Sequence, residues 1–350
     1  MPFQTYRSIR IYPSAALAIL IFAASASAQE TTLDPALGTS AAKGLSPALL
    51  NAIKGGNLTA PAAPIKPRVT FSNAQYATGG VSLRNRQIGS IQVSGIEGPV
   101  KKAFLYWAYL FSSTPPSRQT ITLCKPNGGS PATYACSIQG GVLIGTGADT
   151  CWGSNGIAVY IADVTASVAG NGAYPVRLTN AASATDNGKD PWNFSQFPSA
   201  EGASLVVVGT GNKTVGIYDV GLAGATFFGS TAYTLSIPGG VTKTPVLWDS
   251  IGADGQFGSS RAVGQGVAKE KTLINGVQIA GPGVNTTTNG FTDSDWDGGS
   301  GWPLPQLWDD IGHSLPTTAA PVGKLSLDVK IASDGSTYDC LTPVVNVVSY

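Results

Sequence analysis

The stretch Ala103-Phe-Leu-Tyr-Trp-Ala-Tyr-Leu-Phe111 is apolar at odd and even positions alike. Successive side chains of a strand point to opposite faces, so such a run must be covered on both sides. The run Ser204-Leu-Val-Val-Val208 has the same character. The aromatic residues of the first run would also suit a sugar-stacking platform, but core packing is their commoner role in a continuous apolar run. We therefore predict two central strands covered by a layer on each side.

Short β-forming runs continue on both sides of these strands and are separated by Gly, Asn, Pro and Asp. They cover residues 69–72, 80–83, 91–94, 119–123, 157–161, 174–178, 214–218, 232–237, 325–331 and 344–348. Many short strands at this spacing are typical of sandwiches and barrels. The sequence predicts an all-β fold, a large β-sandwich of jelly-roll or immunoglobulin-like type, with long loops and one or two short helices.

Two helical segments carry start and stop signals. In the first, Ser46 is placed as the N-cap before Pro47, and Gly55-Gly56 ends the segment. In the second, Asp163 caps residues 164–168 and Gly170-Asn-Gly172 ends them. We assign residues 29–66 to a leader that ends in a Pro-rich linker, and residues 67–350 to one β-sandwich domain.

The N-terminus reads as an export signal. Arg7 and Arg10 precede an apolar stretch at 15–24, and Ala26-Ser-Ala28 forms a small-residue cleavage site. The apolar stretch is too short for an integral membrane span. We expect a mature chain that begins near Gln29, after cleavage at Ala28, and is secreted or held at the cell surface.

Charge and composition narrow the class of protein. Without Arg7 and Arg10 the 21 basic residues fall to 19, against 20 acidic ones. A chain so close to neutral lacks the basic footprint of a nucleic-acid-binding protein. Only 12% of residues are charged, with 44 Gly and 23 Pro, which fits an extracellular all-β protein better than a helical cytosolic enzyme.

Four cysteines remain in the exported chain, namely Cys124, Cys136, Cys151 and Cys340. An even number in an oxidising compartment predicts two disulfides, with three connectivities open. Cys124 and Cys136 flank a turn-rich segment, so a bridge closing a hairpin is natural, which would leave Cys151 to pair with Cys340. A zinc site is disfavoured because no close Cys pair or His partner accompanies these thiols.

The segment Asp293-Ser-Asp295-Trp-Asp297-Gly298 resembles the first half of a calcium loop, because Ca²⁺ prefers several oxygen ligands from a tightly folded chain. The second half is missing: Leu304 stands where an EF-hand carries its bidentate Glu. The alternative is a solvated acidic turn. The hypothesis is a calcium site at Asp293, Asp295 and Asp297, completed by backbone carbonyls or by Asp254 or Asp309; calcium is the only cofactor that the sequence indicates.

Signals for enzymes are sparse. The single histidine, His313, reads as a solvated or hydrogen-bonded loop residue, because no Gly-x-Ser-x-Gly elbow supports a Ser-His-Asp hydrolase. No spacing among the acids selects a glycosidase pair, and the four Glu residues of the mature chain are Glu30, Glu97, Glu201 and Glu270. The region of Trp296, Trp302 and Trp308 is where a carbohydrate or cation site would lie, although packing of a long loop explains it too.

Several short motifs together resemble the secreted bacterial β-sandwich modules of large surface and adhesin-like proteins, some of which contain intramolecular isopeptide bonds. The motifs are Val100-Lys-Lys-Ala-Phe-Leu-Tyr-Trp-Ala-Tyr109, Tyr160-Ile-Ala-Asp163-Val-Thr, Gly170-Asn-Gly172-Ala-Tyr174, Glu201-Gly-Ala-Ser-Leu-Val-Val-Val208, Ile217-Tyr-Asp219 and Asp339-Cys-Leu-Thr-Pro-Val-Val345. They mark a fold and a compartment rather than a reaction. For an isopeptide bond Lys102 is the best-placed lysine, but a lysine at a strand start more often extends to water.

The sequence thus favours an exported protein with a structural, adhesive or ligand-binding role and no catalytic residues assigned. The partners expected are carbohydrate or components of the cell surface or matrix. The alternative is a secreted carbohydrate-active hydrolase with paired carboxylates. A cleft with two carboxylates about 5 to 10 Å apart, ringed by exposed Trp side chains, would favour the hydrolase.

Overall fold

A computed structural model describes residues 63–84, 86, 88–128, 133–149, 152–178, 197–220, 227–228, 230–253, 270–284, 296, 300, 308–333 and 340–350. Within these residues the chain forms β-strands joined by turns, with no α-helix. The all-β prediction is confirmed.

The strands, in chain order, have the following bounds: β1 Val69–Ser82, β2 Ile88–Val93, β3 Val100–Phe111, β4 Arg118–Gly128, β5 Thr133–Gly147, β6 Gly156–Asp163, β7 Gly172–Leu178, β8 Ser199–Thr210, β9 Lys213–Asp219, β10 Phe227–Phe228, β11 Ser230–Ser236, β12 Val246–Ala253, β13 Glu270–Ile274, β14 Val277–Ala280, β15 Trp308–Leu315, β16 Ser326–Ser333 and β17 Cys340–Ser349.

The described strands form two antiparallel sheets. A 13-stranded sheet has the order β15-β12-β17-β9-β1-β8-β3-β6-β5-β4-β7-β2, with β10 paired to β17. A four-stranded sheet has the order β11-β16-β13-β14. Strands that are distant in the chain are neighbours in the large sheet, so most of its pairings close long loops.

The run that includes residues 103–111 lies in β3, which is central as predicted. It is paired to β8 on one side and to β6 on the other. Ala103, Leu105 and Trp107 enter one hydrophobic core, whereas Tyr106 and Ala108 enter another. Its aromatic side chains at 106, 107 and 109 are buried, so they pack inside the protein and do not form a sugar-stacking surface.

The large sheet curls, and three hydrophobic cores result among the described residues. The first core lies between β1, β3 and β8 and the strands β2, β4 and β7. The second lies between the four-stranded sheet and the strands β9, β12 and β17. The third lies on the face of β1, β3 and β8 opposite the first, where strands β12, β15 and β17 bring Ile251, Trp308 and Val345. The edge strand β15 therefore folds back toward β1, and the candidate site lies where they meet.

Several boundaries differ from the predictions. The runs at 69–72 and 80–83 belong to one strand, β1, and β5, β10 and β12–β15 were not predicted. The helical segment after Asp163 is a single 3-10 turn, Thr165–Ser167, whose first amide Thr165 donates to Asp163 Oδ1 at 3.2 Å. The helix predicted to begin after Ser46 lies outside the described residues.

The first described residues already contact the sheets. The Ile65 amide donates to the Thr234 carbonyl at 2.8 Å, and the Ser236 amide donates to the Ile65 carbonyl at 2.9 Å. The Ile65 side chain packs against the second core. Among the described residues, no helix is long and apolar enough to cross a membrane.

Candidate functional site

Strands β12 and β15 bring two carboxyl groups to one face of the large sheet. In their antiparallel register, Ile251 lies opposite Asp310 and Asp249 lies opposite Gly312. Residues two apart on a strand share a face, so Asp249 and Asp310 are diagonal neighbours on the face that carries Ile251. That face is the one that turns toward β1 in the third core.

Side chains of β1 connect to both acids. Thr78 Oγ1 donates to Asp249 Oδ2 at 2.8 Å, and Tyr76 Oη donates to Asp249 Oδ1 at 2.9 Å. The Thr78 hydroxyl also interacts with the Asp310 carboxyl. As diagonal neighbours on adjacent strands, the two acids have Cα atoms about 7 to 8 Å apart. We name Asp249 and Asp310 the carboxyl pair.

The surroundings of the pair favour one ionised and one protonated acid. Burial raises the pKa of Asp310 to about 7, and the charge of Asp249 adds to this effect. Burial also raises the pKa of Asp249, but the hydrogen bonds from Thr78 and Tyr76 oppose the rise. Hydrogen bonds from Thr78 and Ser204 oppose the rise in the Asp310 pKa but do not cancel it. Asp310 Oδ2 is buried and has no hydrogen-bond partner among the described residues, which also disfavours its ionised form.

A tryptophan supports the Asp310 side of the pair. Trp308 is fully buried, and its Nε1 donates to Ser204 Oγ at 2.9 Å. The Ser204 hydroxyl in turn interacts with the Asp310 carboxyl. The ring fits because residue 202 is glycine: a Cβ there would lie 2.2 Å from Trp308 Cδ2. Asp310 is therefore held in place by packing.

The Asp249 side of the pair borders an exposed surface, although Asp249 itself is only partly exposed. Gly312, opposite Asp249 in the register, is exposed, and a Cβ added to it would lie 2.7 Å from Asp249 Oδ1. On the same face, Ser314 and its partner Leu247 are also exposed, Leu247 by 38%. Asp249 is thus within reach of a solute that approaches over Gly312.

A third acid on this face has a different environment. Asp219 stands in the same row of paired residues as Asp310. Asp310 pairs with Ile251, Ile251 pairs with Val345, and Val345 pairs with Asp219. Asp219 forms a salt bridge with Arg68 and accepts a hydrogen bond from Tyr106 Oη at 2.9 Å. The cation of Arg68 balances the Asp219 charge, whereas no salt bridge within the described residues joins a lysine or arginine to the carboxyl pair.

The predicted calcium ligands Asp293, Asp295 and Asp297 lie outside the described residues, as do Asp254 and Trp302. Trp296 is fully buried, and its ring occupies the space beside Gly252. Trp296 and Trp308 therefore pack in the cores. Asp309 is buried in β15. Within the described part of the chain, no group of three or more His, Cys, Asp or Glu side chains could hold a metal ion.

Cys124 and Cys136 form a disulfide, with Cα atoms 3.9 Å apart. They lie opposite each other in the β4–β5 hairpin, so the bridge closes a hairpin as predicted. Cys340 begins β17, and Cys151 lies outside the described residues, so their pairing stays a prediction.

The remaining acid–base candidates have structural surroundings. His313 belongs to β15 rather than a loop, and its ring stacks on Trp248 with centroids 6.0 Å apart, on the face opposite the carboxyl pair. Glu201 forms a fully buried salt bridge with Arg84, whose guanidinium lies over the Trp152 ring at 4.3 Å. Lys102 forms a salt bridge with Asp163, with 33% and 51% of their side chains exposed.

The sequence contains a signal for the two acidic strands that its β-runs did not reveal. Leu247-Trp-Asp-Ser-Ile-Gly252 and Leu307-Trp-Asp-Asp-Ile-Gly312 share five of six residues. Strands β12 and β15 begin in or near these segments and pair with each other. The antiparallel register offsets the two copies, so Asp249 of the first copy shares a face with Asp310, not with Asp309.

No protein-family model matches the chain, and no curated protein matches it. Solved structures similar to it include N-glycanase F (PNGase F), with 11% identity, 79% of this chain and 96% of that chain covered, and a TM-score of 0.27. A peptide-N(4)-(N-acetyl-β-D-glucosaminyl) asparagine amidase has 9% identity and a TM-score of 0.26. The match covers 79% of this chain and 96% of the amidase chain. A β-porphyranase of glycoside hydrolase family 86 from the human gut bacterium Bacteroides plebeius has 11% identity and a TM-score of 0.26. The match covers 74% of this chain and 38% of the porphyranase chain. We draw no conclusion about function from likenesses this weak.

Proposed function

We propose that this protein is an exported, ligand-binding β-sandwich that binds a hydroxyl-rich ligand, such as a carbohydrate, at the solvent-facing side of Asp249. The observation that carries the proposal is the convergence of a carboxylate and two hydroxyl groups beside the exposed Gly312. Carboxylates and hydroxyls are the partners that sugar hydroxyl groups need. The export signal, and the resemblance to modules of surface proteins, support a role outside the cell.

The contacts around Asp249 suit binding because they hold its carboxylate rigidly while leaving it acceptor capacity. A carboxylate has about four lone-pair sites, and the hydrogen bonds from Tyr76 and Thr78 use two of them. The remaining sites are available to ligand hydroxyls that approach over Gly312. A site held by strand-to-strand hydrogen bonds loses little conformational entropy when it binds.

A second candidate function is glycoside hydrolysis by the carboxyl pair, and the raised pKa of Asp310 favours it. In this scheme the protonated Asp310 gives its proton to the leaving-group oxygen, while Asp249 attacks the anomeric carbon and forms a glycosyl ester. Water then cleaves the ester, and Asp310 takes the proton back. The separation of diagonal neighbours, about 7 to 8 Å between Cα atoms, is compatible with the spacing of about 5 to 10 Å between the carboxyl groups of glycosidases. Against this scheme, Trp248, Trp296 and Trp308 are buried and do not form the ring of exposed tryptophans expected of a hydrolase.

Binding of purified protein to an array of defined oligosaccharides tests the main proposal. Ligands found on the array are then titrated against the wild type, Asp249→Asn and the control Asp328→Asn. Asp328 is an exposed acid of β16 whose replacement removes the same charge from the other sheet. We expect Asp249→Asn to weaken binding at least about tenfold, as loss of a charged hydrogen-bond partner does, and Asp328→Asn to bind normally.

The same ligands, incubated with protein and assayed for new reducing ends, distinguish the two candidates. Binding without release of reducing ends supports a ligand-binding protein. Release that Asp310→Asn and Asp249→Asn each abolish supports the hydrolase. Failure of every oligosaccharide to bind would contradict both.

A further inference from the structure

Three lysines surround one turn of the large sheet, at residues Gly211 and Asn212 between β8 and β9. We name Lys101, Lys213 and Lys243 the lysine cluster. Lys101 Nζ donates to the Asn73 carbonyl at 2.5 Å, and the Gly211 amide donates to the same carbonyl at 2.9 Å. Lys243 Nζ donates to the Asn212 carbonyl, and Lys213 Nζ donates to the Pro245 carbonyl.

These contacts fix the position of the ammonium groups without neutralising them. A backbone carbonyl accepts a hydrogen bond but carries no net charge, and each ammonium has three donors. None of the salt bridges of the described residues involves Lys101, Lys213 or Lys243. Lys101 and Lys243 are exposed, and Lys213 is partly exposed. Burial lowers the pKa of Lys213, and the nearby charge of Lys243 lowers it further.

The cluster lies at the same end of the sheet as the open side of the candidate site. Lys213 lies opposite Ala74, two residues from Tyr76 on β1, and Pro245 precedes Asp249 by four residues. At about 3.3 Å per residue these offsets correspond to roughly 7 and 13 Å along the strands. The acidic residue of the adjoining turn is Glu97, whose backbone oxygen accepts from Gln75 Nε2 at 2.9 Å. Gln75 alternates with Tyr76 on β1, so the Glu97 turn lies on the other face of that strand.

We infer that the ligand of this protein is an acidic polysaccharide, whose sulfate or carboxylate groups bind the lysine cluster while a sugar unit occupies the site at Asp249. The inference rests on the proposed function and specifies the class of ligand. A neutral glycan would leave three neighbouring cations without counter-charge beside the site, whereas an anionic chain that passes from the site across the Gly211–Asn212 turn pairs with each of them.

Heparin is the anionic probe for the test, with a neutral oligosaccharide identified on the array as its counterpart. The variant Lys101→Gln, Lys213→Gln, Lys243→Gln is compared with a matched control, Lys66→Gln, Lys324→Gln, Lys330→Gln. Both triple variants lose the same net charge, and the control lysines lie at residue 66 and on or beside β16. Thermal unfolding of each variant verifies that it folds.

We expect the cluster variant to bind heparin at least about tenfold more weakly at low salt, because three ion pairs are lost together although each one contributes little free energy. Its affinity should also depend less steeply on salt concentration. The control variant should bind heparin as the wild type does. The inference is overturned if both triple variants lose affinity equally or if the cluster variant loses none. It is also overturned if a single-stranded DNA oligonucleotide of equal charge binds the cluster as tightly as heparin does.

The two proposals fail in different ways. If the lysine cluster is unimportant but Asp249 binds sugar, the cluster variant keeps its affinity for heparin and for the neutral oligosaccharide. If Asp249 binds no sugar, no neutral oligosaccharide of the array binds the wild type, and Asp249→Asn leaves heparin affinity unchanged.

Discussion

Asp249 and Asp310 lie on the same face of neighbouring antiparallel strands, and Thr78 Oγ1 donates to Asp249 Oδ2 at 2.8 Å. Thr78 belongs to β1, 171 residues before Asp249 in the sequence. The contact joins the edge strand β15 and its neighbour β12 to the middle of the sheet. The hydrogen bond lies at the third core, where both acids share a face with Ile251.

Stability should fall as the pH rises through the range in which Asp310 ionises. The pKa of Asp310 is about 7 in the folded protein and near its ordinary value of 3.8 in the unfolded chain. The folded state therefore binds more protons between these values, so the stabilisation is complete below about pH 4 and is lost as the pH rises through 7. The maximum slope for one proton is about 1.4 kcal/mol per pH unit. Denaturant unfolding at a series of pH values from 4 to 8 measures it, and Asp310→Asn should flatten the profile; an unchanged profile would contradict the assignment.

Replacing Thr78 by valine should destabilise the protein. The change keeps the β-branched shape but removes the hydroxyl that donates to Asp249. Leaving a buried polar group without its partner costs about 1 to 3 kcal/mol. Chemical denaturation measures the loss, and Thr78→Ser, which keeps the hydroxyl, is the matched control. Equal stability of the two variants would show that the hydroxyl is unimportant.

Replacing Gly202 by alanine should destabilise the fold through the Trp308 ring. An added Cβ would lie 2.2 Å from Trp308 Cδ2, so the indole must move and its hydrogen bond to Ser204 is disturbed. Overpacking of this kind typically costs about 1 to 3 kcal/mol. Gly140→Ala on β5 is the control, because nothing lies within 4 Å of its added Cβ. The free energies of unfolding should differ clearly, and loss of Trp308 burial should appear in fluorescence.

The disulfide between Cys124 and Cys136 should stabilise the hairpin. Their separation of 12 residues corresponds to about 3 kcal/mol in the chain-entropy description of crosslinks. The double variant Cys124→Ser, Cys136→Ser should unfold at a correspondingly lower denaturant concentration. Thiol titration of the denatured, unreduced wild type checks the wider expectation that all four cysteines are paired. Two or more reactive thiols would contradict it.

Calcium should stabilise the protein if Asp293, Asp295 and Asp297 form the predicted site. A cation that binds only the folded state at a hundredfold excess over its dissociation constant adds about 2.7 kcal/mol. The measurement is thermal unfolding in millimolar calcium and in chelator, for the wild type and Asp295→Ala. We expect a shift in the wild type that the variant lacks. If the unfolding midpoint of neither protein changes with calcium, the segment is an ordinary acidic turn.

Strands β12 and β15, which carry the carboxyl pair, were not predicted because of their composition. Val246-Leu-Trp-Asp-Ser-Ile-Gly252 and the β15 segment interrupt their apolar residues with acids and glycines, which are depleted in strands. The acids are there because their side chains meet hydroxyl groups of β1, a partner that local patterns do not reveal. The repeated Leu-Trp-Asp-x-Ile-Gly segments were a usable sign that two similar strands exist.

The all-β class, the central position of residues 103–111 and the hairpin disulfide could be predicted from the sequence alone. These features depend on the pattern of apolar residues and on turn residues that lie within a few positions of each other. Such local patterns can be recognised in the sequence. The meeting of Asp249, Asp310 and Thr78, and the position of Lys101, Lys213 and Lys243 around one turn, became visible only in the folded chain. Those encounters depend on strand register and on the curl of a sheet assembled from distant segments, and a shift of one residue in register would turn each side chain to the opposite face.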